Sequence, residues 1–210
     1  KINENENKNL KSKNLNFLEI DSIKNKEDYN KIRAETDSEA LKRKFSNNNI
    51  FQKNSPSNSS CKLLYNISEK IRYEVLGTKM LKGISSNLKN NYSYKLLNKK
   101  KDHIKSKEDV EIAEAFELYM LKNFMEIKLD SLSEKILSYW EKDFNNSFKK
   151  HIKYLYENLE NQESYNTKFS EILQNMEIFE SENNEDEKKA QEENKQDENN
   201  SNKNESYESS

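Results

Sequence analysis

Cys61, His103 and His151 are the only cysteine and histidines in the 210-residue chain, so the side chains that most often hold metals or relay protons are nearly absent. A conventional structural zinc site takes four such ligands at defined spacing. These three are scattered, and no carboxylate spacing completes a set. Cys61 has no base arranged around it in sequence, His103 lies in a basic run, and His151 adjoins an apolar stripe, so each reads as a structural residue. No GxxxxGK[ST], GxGxxG or G-x-S-x-G pattern occurs. The sequence therefore predicts no catalytic, cofactor-binding or metal-binding residue in this chain, and any nucleotide chemistry has to come from a partner.

Two features have more to say. The run "KLLNKKKDHIKSK" (95–107) could neutralise phosphates while Tyr92 and Tyr94 stack on bases, but it reads first as a solvated loop in a lysine-rich chain. The stretch "RYEVLGTKMLKGISSNL" (72–88) holds both glycines of the chain, Gly77 and Gly83, among residues that favour helix. Each glycine weakens a helix interior by about 1 kcal/mol relative to alanine. Arg72, Glu74, Lys79 and Asn87 interrupt its apolar residues.

The elements that must position these residues are helical. Asn25 to about Phe45 carries a moderate stripe of Tyr29, Ile32, Ala40, Leu41 and Phe45. "SNNNIFQKNSPSNSS" (46–60), with the only proline, reads as a loop. Residues 62–91 read as one helix. Leu64, Ile67, Ile71 and Val75 share one face, whereas Gly77, Leu81, Ile84 and Leu88 share nearly the opposite one, so two different neighbours are expected to clasp it. Glycine at the crossover permits close backbone approach, a kink or a ligand contact. Residues 92–105 form a basic connection. Ser106 with Asp109 caps a helix marked by Ala113, Phe116, Met120 and Phe124, and Ser131 with Glu134 caps a long one running through Leu132, Ile136, Trp140, Phe144, Phe148, Ile152, Leu155 and Leu159, bent near Asn145 and Asn146. Tyr165, Phe169, Ile172, Met176 and Phe179 mark the last helix. No segment alternates with a strand's period.

The expected fold is all-α, an irregular bundle of about five helices over 25–179. A disordered or loosely docked tail (1–24) precedes it and an acidic disordered linker (180–210) follows. That last stretch has eleven acidic and four basic residues, net −7, against −2 for the whole chain, which leaves a body of +5. No apolar run approaches the roughly 18 residues of a membrane span and no signal peptide opens the chain. One cysteine suits a reducing compartment, so a cytoplasmic location is expected. Opening on Lys1 and closing in polar low complexity, the sequence is expected to be part of a longer protein.

"SEKIRYEVLGTKMLKGISSNL" (68–88) resembles the amino-terminal domain of the CobT family, subunits of the aerobic-pathway cobaltochelatase. Glu69, Arg72, Glu74, Leu76, Gly77, Leu81, Gly83, Ile84, Asn87 and Leu88 fit the family pattern. "RAETDSEAL" (33–41) is similar to a second family segment through Arg33, Asp37, Ala40 and Leu41, with Ala34 departing from its glycine. "KILSYW" (135–140) and then Gln162, Tyr165 and Leu173 continue the likeness, which spans about 30–179.

The resemblance implies a cobaltochelatase subunit that assembles with an AAA+ ATPase subunit and a large catalytic subunit into a ring-shaped hetero-oligomer. Cobalt enters hydrogenobyrinic acid a,c-diamide on the large subunit, and ATP and magnesium are used by the partners. It also implies that a von Willebrand A-like domain should follow the acidic linker; none is present in this sequence. Arg72, Glu74, Gly77, Gly83 and Asn87 are then expected to form the surface that meets the ATPase subunit. Neither nucleic acid nor membrane is an expected partner. The alternative is a helical scaffold or adaptor unrelated to chelation, docking through the basic loop; a nucleic-acid binder ranks third.

Overall fold

Asparagine and aspartate start most of the helices by accepting backbone N–H groups that the first turn leaves without partners. In the computed structural model, which describes residues 25–98, 104–176 and 179, Asn25 caps α1 (Lys26–Phe45), Asn47 caps α2 (Asn48–Lys53) and Asn58 caps α3 (Ser59–Met80). The next are α4 (Lys82–Leu97), α5 (Ile112–Phe124) and α6 (Ser131–Ser138), the last capped by Asp130. Then come α7 (Glu141–Phe148), α8 (Ile152–Glu157) and α9 (Gln162–Gln174), which Asn161 caps. The expected tails 1–24 and 180–210, and His103 with the middle of the basic run, lie outside the described residues.

The described residues form nine helices and no strand, so the all-α class holds while the expected count of five is too low. Half of the excess has one physical cause. The stripe from Leu132 to Leu159 advances mostly by four residues, and each such step carries it about 40° around a 100°-per-residue helix. A straight helix would wind the stripe off the core. The chain breaks instead at Tyr139–Trp140 and at Lys149–His151, giving α6, α7 and α8, and every member of the stripe stays buried or packed against the core. Asn145 and Asn146, where a bend was expected, lie inside α7. Likewise the helix expected over 62–91 breaks at Leu81 into α3 and α4, and α4 runs on through Tyr92 to Leu97 instead of ending before a basic connection. The expected loop 46–60 contains α2. Ser106 and Asp109 do form a capping box, but on a short 3-10 turn (Lys107–Asp109) ahead of α5, and Asp130 rather than Ser131 caps α6.

Helix α3 is the axis of the fold, packing against α1, α4, α5 and α9. From Leu64 to Gly77 nearly every residue is buried, polar ones included. The double-sided apolar pattern thus reports a helix enclosed by several neighbours. Beside it, Phe116 of α5, Phe144 and Phe148 of α7 and Phe169 of α9 form an aromatic core with ring centroids 5.0 to 6.0 Å apart, the spacing of favourable tilted and edge contacts. In α1 only Ala34 and Leu41 are buried, whereas Tyr29 and Ala40 of its expected stripe face solvent.

Candidate partner interface

Glu69 and Arg72 stand three residues apart on one face of α3, the spacing at which helical side chains meet. They form a forked pair, Nε to Oε2 and Nη2 to Oε1, both at 2.8 Å. Arg72 is only 1% exposed, and a buried guanidinium is tolerable when each of its donors is used. Its remaining bonds go to one backbone carbonyl that ends α1 and one in the connection between α8 and α9: Nη2 donates to Phe45 O at 2.6 Å and Nη1 to Leu159 O at 2.8 Å. Glu69 also accepts from Ser46 Oγ and, at 3.0 Å, from Gln162 Nε2, and the Gln162 carbonyl oxygen accepts from Asn47 N–H at 2.7 Å. One buried ion pair thereby ties the end of α1, the start of α2 and the start of α9 to α3.

A second lock sits about a turn and a half along from Glu69. Glu74, also 1% exposed, accepts from Ser38 Oγ and, at 2.6 Å, from Tyr92 OH. Burial, and then the Glu74 carboxylate beside it, hold the Tyr92 hydroxyl protonated well beyond the ordinary tyrosine range. Asn87 Nδ2 donates to Asp37 Oδ2 at 2.7 Å, half-buried, with Arg33 3.9 Å from the same oxygen. An alanine Cβ at Gly77 would overlap Leu41, so that glycine is what lets α1 lie against α3.

Arg72, Glu74 and Gly77 therefore do not present themselves to a partner, contrary to the sequence-based expectation, because α1, α4 and the start of α9 enclose them. Tyr92 is 4% exposed and bonded inward, so it cannot stack on a base. Sequence reasoning missed Ser38, Ser46, Tyr92 and Gln162 as members of these locks. Gln162 closes on Glu69 across 93 residues, a distance no local pattern announces.

Gly83 is different. It lies in the first turn of α4 with nothing within 4 Å of where a Cβ would sit, and its φ is not positive. It closes a run of five exposed residues, Lys79, Met80, Leu81, Lys82 and Gly83, that forms the corner between α3 and α4. Met80 is 49% exposed and Leu81 53%. Leu81 occupies the cap position of α4 without a side-chain bond to the backbone. Lys79 Nζ sits 4.1 Å from the ring centroid of Tyr156 in α8, a cation–π contact that adds a half-exposed aromatic to the corner.

The remaining chemical candidates stand apart from one another. Cys61 is buried against the Leu173 carbonyl, with Sγ to O at 3.6 Å. His151 borders a cleft of about 380 Å³ with Lys150, Glu171 and Asn175. Partial burial, followed by Lys168 and Lys150, pushes its pKa down. Among the described residues no three His, Cys, Asp or Glu side chains are grouped to hold a metal ion, and no helix is long and apolar enough to cross a membrane.

The two locks and the Gly77 contact are built from the segments whose spelling resembles a family. Asp37 meets Asn87, Ser38 meets Glu74, Leu41 meets Gly77 and Gln162 meets Glu69. No curated protein and no solved structure matches the chain significantly. The model of one protein family, described as cobalamin biosynthesis protein CobT, matches residues 3–210, nearly the whole chain. The chain belongs to the CobT family of cobalamin biosynthesis proteins.

Proposed function

We propose that this chain acts in cobalamin biosynthesis as the non-catalytic assembly subunit of an ATP-dependent cobaltochelatase. In this reading residues 25–179 are a helical domain that docks on an AAA+ ATPase subunit, with 1–24 and 180–210 as tails. A large catalytic subunit holds hydrogenobyrinic acid a,c-diamide while cobalt, the substrate metal, is inserted. ATP and magnesium are handled by the ATPase, the complex is a ring-shaped hetero-oligomer, and the location is cytoplasmic. The family match over 3–210 carries the proposal. The site geometry supports it: the charged groups that could do chemistry on α3 are all engaged in holding helices together, and what the fold leaves outside is an apolar corner suited to contact.

A displacement assay tests this. Excess chain should release a labelled copy of the native CobT-family subunit from the AAA+ ATPase subunit of the same source. Full retention of the labelled subunit at saturating excess refutes the reading.

A further inference from the structure

The corner from Lys79 to Gly83 departs from what folding alone would select in three separate ways. First, Met80 and Leu81 are adjacent, large, apolar and about half exposed, in a chain that buries most of its leucines. Second, an exposed leucine caps α4: Asn or Asp caps α1, α2, α3, α6 and α9, and the other helices without a side-chain cap, α5, α7 and α8, begin at the polar Glu111 or at the half-buried Trp140 and His151. Third, Gly83 keeps a helix-weakening residue where an alanine would touch nothing. Gly77 has an internal reason in Leu41; Gly83 has none. Each departure makes sense if something from outside covers the corner, since apolar side chains want a cleft and a bare glycine lets a foreign backbone come close.

The charge around the corner indicates what that cover is. Lys79 and Lys82 flank the two apolar side chains, and among the described residues neither is paired with a carboxylate. Lys79 is held over Tyr156 instead. We infer that Met80 and Leu81 insert into an apolar cleft on the ATPase partner whose rim carries carboxylates facing Lys79 and Lys82, with Gly83 admitting the partner's backbone. The inference rests on the functional reading above and adds the contact itself. Leucine and methionine supply the buried apolar anchor, and the two lysines set orientation and speed of encounter.

The test uses the full chain and the ATPase subunit from the same source, with binding followed by calorimetry or surface immobilisation. Leu81→Asp is the decisive variant. Aspartate is a better helix cap than leucine, so the protein should melt at the same or a higher temperature while affinity for the ATPase falls by at least about tenfold. Met80→Glu should match that loss. Lys79→Glu with Lys82→Glu should weaken binding and flatten its dependence on salt. Unchanged affinity in Leu81→Asp and Met80→Glu, with the parent chain binding well, overturns the inference and leaves the functional reading standing. If the parent chain does not bind the ATPase at all, both fall. If the substitutions abolish self-association and spare ATPase binding, the corner serves a second copy of this chain and the inference is wrong.

Discussion

Replacing Gly77 by alanine sets a methyl group 2.9 Å from Cγ of Leu41 and closer still to Cδ1 and Cδ2. Leu41 is 3% exposed and packed into the core, so its side chain has little room to swing aside. Overpacking of this kind costs about 1–3 kcal/mol. Against that, alanine in a helix interior gains about 1 kcal/mol over glycine. The net expectation is a loss of about 0–2 kcal/mol for Gly77→Ala. Gly83→Ala meets no neighbour and should gain about 0.4–1 kcal/mol, chiefly by restricting the unfolded chain. The two glycines should therefore respond with opposite sign. Urea denaturation of the parent and both variants measures this, and for a chain of this size 1 kcal/mol moves the melting temperature by roughly 2–4 °C. Adding Leu41→Ala to Gly77→Ala should show a favourable coupling of about 0.5–3 kcal/mol, because the new methyl then fills space that leucine vacated. Equal stabilisation by both glycine substitutions, or strict additivity with Leu41→Ala, would refute the claim that Gly77 exists to let α1 approach α3.

Four further outcomes follow from the same geometry. Arg72→Met leaves the Glu69 carboxylate buried without its cation and should cost about 3–5 kcal/mol in denaturant unfolding, whereas Arg72→Met with Glu69→Leu should recover much of it. Tyr65, Tyr73, Tyr92 and Tyr165 all have pKa values raised chiefly by burial, and Tyr119 is pushed up to about 12 by the same cause. The folded form therefore keeps protons that unfolded tyrosines give up near pH 10, so stability is intact below about pH 10 and lost as pH rises further. Phenolate absorbance should show these five failing to titrate near pH 10 while the protein stays folded. Asp130→Ala should cost about 1 kcal/mol by removing the cap of α6, while Ser131→Ala should be near neutral in the same thermal melts. Glu126, exposed with φ 56 where the chain leaves α5, should gain stability of up to about 1 kcal/mol when changed to glycine.

Apolar spacing revealed the helical class and most core positions, because burial of an amphipathic face leaves a direct trace in periodicity. Phe116, Met120 and Phe124 of α5 and the Leu132–Leu159 stripe are examples. The breaks in that stripe were not anticipated: its spacing reads as one bent helix, although its persistent four-residue step is one that a straight helix cannot keep on one side. What local spacing could not carry was the destination of the polar residues. Arg72 and Glu74 look like interruptions of an apolar helix from either side of the question, and only the approach of Ser38, Tyr92 and Gln162 from distant positions shows that they point inward. A spelling that looked like a contact surface is largely an internal interlock. Of the five residues expected to meet a partner, only Gly83 lies in the exposed run from Lys79 to Gly83.

The central claim is that this helical body works by gripping an energy-converting partner. Light scattering after size-exclusion chromatography of the full chain mixed with the proposed AAA+ ATPase subunit of the same source, with and without ATP and magnesium, tests that claim most directly. The account predicts a stable hetero-complex of defined mass that Leu81→Asp disrupts. Separate elution of the two proteins at concentrations of tens of micromolar, well above a dissociation constant of about 1 μM or below, under every nucleotide condition, would contradict it.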